Sequence, residues 1–382
     1  MRQMNLALAL LTAAALAACG GTGSSGGDQT HKVAFTQQVS FGDSLSDVGT
    51  YNVGAITAAG GGKYTINGDA TTTNPAYTGL NWTEVLAAEM NLPKPCAAQT
   101  GLQGTDNASP ALDFNVAIVN YANCFNYAQG GARVSDPIGS GNRAVNPQLG
   151  QMTVPVATQV ANHLAKSGGK FSGTELVTIM GGGNDVLMML GQLSAGANAA
   201  GTAAGTKAFP TLLIGGLVPL VAPANLASAQ QTIGLVVQAE AAKGSGQTAI
   251  ATAAATAAVG LGAPEAAAMA AAAKAGADAQ ALGAKAGADY AAAQGPVMVA
   301  ALGKAGAELA AIVKTQLVGK GANYVVVNNL PDVAGSPSGR AQSADIQALI
   351  RAMVDTFNVQ LKAGLGEDPR ILYVDVYAIS HD

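Results

Sequence analysis

The sequence predicts an α/β domain, in which a parallel sheet lies between two layers of helices and carries a helical insertion. Short, continuous apolar runs alternate with segments of helical periodicity, as expected for strands that are buried on both faces of a parallel sheet. Polar, glycine-containing motifs follow three of these runs, and a long alanine- and glycine-rich stretch interrupts the alternation. Together these observations predict a three-layer sandwich of about five strands in flavodoxin-like order.

The elements follow one another from residue 34 onward. VAFTQQVSFGDS holds the first predicted strand, and TGLNWTEVLAAEMNL predicts an amphipathic helix in which Trp82, Leu86 and Met90 recur at a spacing of four. CFNYAQGGAR follows the second strand, and ELVTIMGGGND contains the third. ANYVVVNNLPDV and RILYVDVYAI predict the fourth and fifth strands, with the helical SADIQALIRAMVDTFNVQLKAGLG between them.

A further helix is predicted over TVPVATQVANHLAKSGG, ahead of the third strand. Val156, Val160 and Leu164 lie on one face of this helix and are predicted to enter the core. His163 flanks that face beside Gln159, and we interpret it as a solvated helix residue with no part in chemistry.

Residues 187–317 differ in composition from the rest of the chain. They are dominated by alanine and glycine, and TAIATAAATAAVGLGAPEAAAMAAAAKAGADAQALGAKAGADYAAAQG is almost without aromatic residues. Alanine has the highest helix propensity and small side chains let helices pack closely, so we predict a helical hairpin or small helical subdomain. Such an insertion is either a lid over a site or a decoration of the scaffold.

Composition and charge limit the classes of protein and partner that the sequence allows. Hydrophobic residues make up 49% of the chain and charged residues 11%, which excludes a disordered acidic or basic protein. The net charge of −4 comes without basic clusters, so we predict no nucleic-acid partner. No histidine or cysteine lies near the cysteine pair described below with metal-ligand spacing, and we predict neither a metal site nor a cofactor.

The N-terminal MRQMNLALALLTAAALAACGG predicts an export signal, because its apolar run is too short to span a bilayer comfortably. Its last residues before the glycines are similar to a bacterial lipobox, so Cys19 is predicted to carry lipid and residues 20–33 to form a flexible tether. This predicts an exported lipoprotein of the outer membrane, cell surface or periplasm of a Gram-negative bacterium, with no later membrane span. The other interpretation is an ordinary secretory signal that ends in cysteine.

Cys96 and Cys124 are the remaining cysteines. In an oxidising compartment they predict a disulfide bond, and the other interpretation is two unpaired, buried thiols. The closed loop has a length for which the chain-entropy model gives about 3 kcal/mol of stabilisation. The bond would fix PCAAQTGLQGTDNASP to the strand region before Asn126.

Three motifs carry the candidate chemistry, namely FGDSLSD, NYAQGGAR and GGGNDV, which follow the first three strands. Ligands of a doubly wound sheet bind beyond the carboxyl ends of its strands, so the motifs are predicted to meet. A serine nucleophile needs a base and donors for the oxyanion. Each motif alone also fits a turn or helix cap built on Asp43, Asp47 or Asp185, and we assign Asp43 and Asp185 to such structural roles.

In this order the motifs resemble those of the SGNH or GDSL family of serine esterases and lipases, from about Phe35 onward apart from the insertion. The resemblance implies that Ser44 is the nucleophile and that its own amide is the first oxyanion donor. It implies Gly131, in preference to Gly130, as the second amide donor and Asn184 as a side-chain donor. Glycine permits close backbone approach, and an uncharged carboxamide donates without quenching the base.

The family carries its base in an Asp-x-x-His motif after the fifth strand, and this chain departs from that pattern. His381 has Ala378 three residues before it. We therefore expect the base and its aspartate in a final block after residue 382, with His381 as the second choice and Ser44 without an imidazole in reach. Asp332 and Asp375 lie at or near strand ends, but neither is predicted to orient a histidine.

The composition and the resemblance together divide the chain into five parts, which are the leader (1–19), the tether (20–33), the first part of the hydrolase domain (34–186), the insertion (187–317) and the second part of the domain without its final block (318–382). The resemblance implies a carboxylic ester hydrolase that acts on a small-molecule or lipid ester through an acyl-enzyme. The rival interpretation is a non-catalytic surface lipoprotein that uses an esterase-like fold to bind glycan or lipid.

Overall fold

The computed structural model describes residues 33–64, 78–105 and 113–381. The leader with Cys19, His31 and the tether up to residue 32 lie outside the described residues. The chain divides into two compact units, Met1–Phe35 and Thr36–Asp382. Only residues 33–35 of the first unit are described, so the architecture below is that of the second.

The sheet confirms the predicted α/β class. The strands are β1 Gln38–Phe41, β2 Gln99–Thr100, β3 Val119–Asn120, β4 Leu176–Ile179, β5 Tyr324–Asn328 and β6 Ile371–Val374. Strands β1, β4, β5 and β6 form one parallel sheet in that order, and β2 and β3 form a separate antiparallel pair.

Residues 125–129 extend the parallel sheet along the free edge of β1. The Ser40 amide donates to the Phe125 carbonyl at 3.0 Å, and the Tyr127 amide donates to the Ser40 carbonyl at 2.7 Å. Gln129 continues the ladder, donating to the Gly42 carbonyl at 3.0 Å. In chain order the five parallel segments are therefore arranged 2-1-3-4-5, which is the predicted flavodoxin-like order.

The α-helices of the described residues are α1 Gly54–Ala58, α2 Trp82–Glu89, α3 Val156–Lys166, α4 Gly183–Leu217, α5 Leu226–Ala242, α6 Gln247–Gly260, α7 Glu265–Ile312, α8 Pro337–Arg340, α9 Ala344–Leu365 and α10 Val376–His381. A π-helical turn, Val313–Leu317, continues α7. The main core joins α3, α9 and the C-terminal part of α7 to the sheet. Helix α2 contacts the other face of β1, where the Gln38 side chain donates to the Thr83 carbonyl at 2.9 Å.

Helix α2 forms where it was predicted, but a different face is buried. Trp82, Leu86 and Met90 are only half-buried. The buried side chains are Thr83, Glu84 and Ala87. Glu84 turns inward because it closes a capping box with Asn81 and forms an ion pair with Lys63 at 2.8 Å.

Helix α3 buries its predicted apolar face, but the interpretation of His163 as solvated is wrong. Its side chain is 1% exposed and lies among the rings of Phe41, Phe125, Tyr127 and Phe171. Burial lowers the pKa of His163 to about 4. The imidazole is therefore neutral near pH 7. His163 lies beside the apolar face of α3, and it is still inside the core because aromatic side chains from other elements surround it.

The insertion is helical, as predicted, and α4 begins at Gly183, four residues before the predicted boundary. Helices α4 and α7 pair closely in antiparallel directions. A Cβ at Gly201 would lie 2.8 Å from the Gly283 carbonyl oxygen, and one at Gly283 would lie 2.7 Å from that of Gly201. Beyond this contact a second core forms among α4, α5, α6 and α7 around Phe209, Leu213 and Ile233.

Two stretches, Gly183–Leu220 and Glu265–Lys320, are long and apolar enough to cross a membrane by length and composition alone. By that criterion the expectation of no span after the leader is not met. In the second stretch, however, Leu302 and Leu309 are fully buried in the main core. Packing onto the sheet therefore accounts for much of the apolar character of the C-terminal part of α7.

The disulfide bond between Cys96 and Cys124 is present, with the two Cα atoms 5.0 Å apart. The backbone around the bond pairs as well, since the Ala98 amide donates to the Asn126 carbonyl at 2.7 Å. In return, the Asn126 amide donates to the Cys96 carbonyl at 3.2 Å. The covalent bond thus anchors the edge segment 125–129 to the chain that leads into β2.

His163→Phe should change how stability depends on pH while keeping an aromatic ring in the cluster. The unfolded chain binds a proton near the ordinary pKa of 6.5, whereas the folded imidazole resists protonation down to about 4, so stability falls as pH falls through this range. Between pH 7 and pH 5 the wild type should lose about 2 kcal/mol more than the variant. Urea unfolding at the two pH values measures this, and equal losses would contradict the neutral, buried imidazole.

Candidate active site

The three motifs meet at the carboxyl edge of the parallel sheet. Strand β1 leads into Ser44, the edge segment leads into Gly130 and Gly131, and β4 leads into Asn184. A Cβ on Gly130 would lie 3.8 Å from the Ser44 Cβ, so these two loops touch. A Cβ on Gly183 would lie 3.7 Å from an Asp43 carboxylate oxygen, which brings the third loop against the first.

Hydrogen bonds on both sides hold the turn that presents Ser44. The Asp43 carboxylate accepts from the Leu45 amide at 3.1 Å, and the Asp43 carbonyl accepts from the amides of Ser46 and Asp47, both at 3.0 Å. On the preceding side, the Gly42 amide donates to the side-chain oxygen of Gln159, and the Gly42 carbonyl accepts from the side-chain nitrogen of Gln159, both at 2.8 Å. The turn is therefore fixed while Ser44 itself stays half-buried.

Ser44 has both polar groups available. Within the part of the chain that the structure describes, neither its hydroxyl nor its backbone N–H makes a hydrogen bond. A free hydroxyl can attack the carbonyl carbon of a bound substrate. A free amide beside it can donate a hydrogen bond to the carbonyl oxygen as negative charge develops there.

Gly130 and Gly131 differ in what their amides do. The Gly130 amide donates to the Asp47 carboxylate at 2.9 Å. The Gly131 amide has no acceptor among the described residues, although the residue is buried. Gly131 has a φ of +84°, and a Cβ there would lie 2.2 Å from the Ser140 carbonyl oxygen, so only glycine fits.

Asn184 lies in the first turn of α4 and is 6% exposed. Its side-chain NH2 donates one hydrogen to the Ala132 carbonyl at 2.9 Å. Its side-chain oxygen accepts from the Ser140 hydroxyl at 3.4 Å. The second NH2 hydrogen has no partner in the described parts of the chain, which leaves one uncharged donor beside the Gly131 turn.

Three buried carboxyl groups underlie these loops. Burial raises the pKa of Asp43 to about 6 and that of Asp47 to about 6. Burial also raises the pKa of Asp185, against the opposing effect of Arg133, whose Nε donates to this carboxylate at 2.9 Å. Their partners are backbone amides and Arg133 rather than the Ser44 hydroxyl, so these groups shape the loops and do not take the serine proton.

His381 does have a carboxylate partner, contrary to expectation. Its Nδ1 lies 2.9 Å from an Asp332 carboxylate oxygen, and its ring stacks on Tyr377. Burial raises the pKa of Asp332, but hydrogen bonds, first that from His381, bring it below its ordinary value. Asp375 instead accepts from the Ala378 amide at 3.1 Å, at the start of α10. No imidazole of the described residues is hydrogen-bonded to Ser44.

Three contacts of this region were not predicted from the sequence, namely Asp47 with Gly130, Gln159 with Gly42, and Asp332 with His381. Only the second had a visible signal, since Gln159 is a polar residue that flanks the apolar face of α3. The other two join loops that are far apart in sequence and belong to no local motif.

The fold is of the doubly wound α/β class, and the three loops meet at the edge of the sheet where such folds bind their ligands. Residues 39–215 match the family model described as GDSL-like Lipase/Acylhydrolase, and this match supports the resemblance to the SGNH/GDSL family. The match spans Ser44, Gly131 and Asn184 and ends within α4. No curated protein matches the sequence.

Replacing Gly131 and Gly130 one at a time by alanine should separate a strained position from a tolerant one. Gly131→Ala forces a side chain into a positive φ and against the Ser140 carbonyl, which should cost about 2 kcal/mol or more of unfolding free energy. Gly130→Ala meets its nearest atom, in the Tyr51 ring, at 3.5 Å and should stay within about 1 kcal/mol of the wild type. Urea unfolding measures both, and equal effects would contradict the described turn.

Proposed function

We propose that this protein hydrolyses carboxylic esters of small molecules or lipids through attack by the Ser44 hydroxyl. The match of residues 39–215 to the GDSL-like Lipase/Acylhydrolase model supports ester hydrolysis in general. The observation that carries the residue assignment is the pattern of backbone amides. Those of Leu45, Gly130 and Ala132 all donate to protein acceptors, whereas those of Ser44 and Gly131 donate to none in the described residues.

In this mechanism the Ser44 oxygen bonds to the ester carbonyl carbon while a base takes the hydroxyl proton. The carbonyl oxygen becomes an oxyanion that accepts from the amides of Ser44 and Gly131 and from the second NH2 hydrogen of Asn184. Collapse releases the alcohol, which receives the proton from the base, and leaves an acyl-serine. Water, deprotonated by the same base, then attacks the acyl-serine. The bond to the Ser44 oxygen breaks, the carboxylic acid is released, and the base returns its proton to the Ser44 oxygen.

The base in this proposal is a histidine that reaches the Ser44 hydroxyl. His163 cannot serve, because it is buried in the core and already faces Tyr127. Of the histidines in the described residues, His381, which Asp332 holds by one hydrogen bond, is therefore the remaining candidate.

Three variants test these assignments in the hydrolysis of p-nitrophenyl acetate and p-nitrophenyl butyrate. Ser44→Ala should lower turnover by at least about a thousandfold, because the acyl-enzyme can no longer form. Ser194→Ala, which changes an exposed serine on α4, is the matched control and should retain wild-type turnover. Full activity of Ser44→Ala would contradict the proposal and favour a binding protein.

The same assay assigns the base. If the base lies outside the described residues, His381→Ala should keep turnover within a few fold of the wild type. A loss as large as that of Ser44→Ala would instead make His381 the base and overturn the placement that the resemblance implies.

We also propose that Cys19 anchors the exported protein to a membrane through lipid. The support is the lipobox-like sequence from Leu16 to Cys19. When the chain is expressed with its leader in a Gram-negative host, the wild type and a Ser25→Ala control should enter the detergent phase on phase partition. Cys19→Ala should stay in the aqueous phase, and equal partition of all three would contradict the anchor.

A further inference from the structure

We infer that Asp47 is a positioning residue of this site, whose carboxylate holds the Gly130 amide so that the Gly131 amide faces the oxyanion. The inference rests on the proposed function and goes beyond it. It concerns a residue that touches neither the substrate nor the Ser44 hydroxyl.

The two oxygens of the Asp47 carboxylate bind two different loops. One oxygen accepts from the amides of Gly49 and Thr50, at 2.8 and 2.7 Å, and so closes the loop that follows Ser44. The other oxygen accepts from the Gly130 amide at 2.9 Å, across 83 residues of sequence. The side chain is 2% exposed, so these hydrogen bonds form away from competing water.

The bond to Gly130 decides which amide remains available. Each amide has one hydrogen, and the hydrogen of Gly130 is already directed at Asp47. The next amide, that of Gly131, is left without an acceptor among the described residues. Without the carboxylate, the peptide before Gly130 could rotate, and the turn would lose the constraint that keeps the Gly131 amide pointed at the oxyanion.

Other contacts hold the same two loops together without the carboxylate. The Thr50 hydroxyl donates to the Ala128 carbonyl at 3.0 Å, and the Asn126 side chain donates to the Ser46 carbonyl at 2.9 Å. The first loop is also held from α2, where the side chain of the N-cap residue Asn81 donates to the carbonyl of Asp47 at 3.0 Å. A change confined to the carboxylate should therefore leave the fold in place and disturb mainly the Gly130–Gly131 turn.

Asp47→Asn is the sharpest variant, because it keeps the size of the side chain. The remaining oxygen can still accept from Gly49 and Thr50, but the new NH2 would face the Gly130 N–H, donor against donor. Loss of one oxyanion donor typically lowers turnover by a factor of about 100 to 1,000, and imperfect positioning should cost part of that. We therefore expect kcat to fall about 10- to 100-fold with KM within about threefold.

The control is Asp368→Asn. Asp368 also accepts from a backbone amide, that of Arg370 at 3.0 Å, but it precedes β6 and lies at the opposite end of the sheet from Ser44. It should leave kcat and KM unchanged.

Turnover is expressed per Ser44 titrated with a fluorophosphonate, so that loss of folded protein does not count as loss of catalysis. A trifluoromethyl ketone, whose tetrahedral adduct carries an oxyanion, should lose affinity for Asp47→Asn by the same factor as kcat/KM. A wild-type kcat per titrated site, or an increase in KM with no change in kcat, would overturn the positioning role. Activity in Ser44→Ala would instead overturn the proposed function, and the two failures are therefore distinct.

A measurement on the wild type covers the case in which Asp47→Asn does not fold. With glycine labelled by 15N, amide hydrogen exchange should be slow at Gly130 and fast at Gly131 in the free protein. It should slow at Gly131 once the fluorophosphonate has reacted. Slow exchange at Gly131 and fast exchange at Gly130 in the free protein would overturn the inference.

Discussion

The parallel register of β1 with its two neighbours is the constraint on which the site depends. Phe41 lies opposite Ile179 on β4, and the Tyr127 amide pairs with the Ser40 carbonyl on the other side. Three parallel segments therefore end at the same edge of the sheet. The residues that follow them meet there, although the chain between them includes a disulfide-bonded loop and helix α3.

Buried polar groups then lock the loops at this edge. Asp47 joins the first loop to the second, and Asp185 and Asn184 join the third to the second through the Val134 amide and the Ala132 carbonyl. An unpaired buried amide costs about 1 to 3 kcal/mol, so a free one in such a network is unusual. Among the described residues the Gly131 amide has no acceptor, and in the proposed function the oxyanion of the substrate would accept from it.

The sequence predicted the fold and the meeting of the motifs because both depend on local patterns. Apolar runs mark the buried strands, and glycine-containing motifs mark the carboxyl ends. The burial of Glu84 and His163 was not predictable in the same way, since it depends on partners in other elements, Lys63 and an aromatic cluster. The contact of Asp332 with His381, 49 residues apart, follows from no local spacing.

A crystal structure of the protein after reaction with a phosphonate ester would show directly whether Ser44, Gly131 and Asn184 form one site. We expect a covalent bond from the Ser44 oxygen to phosphorus. One phosphonyl oxygen should lie about 2.7 to 3.1 Å from the backbone nitrogens of Ser44 and Gly131 and from the side-chain nitrogen of Asn184. An adduct on another residue, or a phosphonyl oxygen bound by the Gly130 amide and directed away from Gly131, would show that these three residues do not form the proposed site.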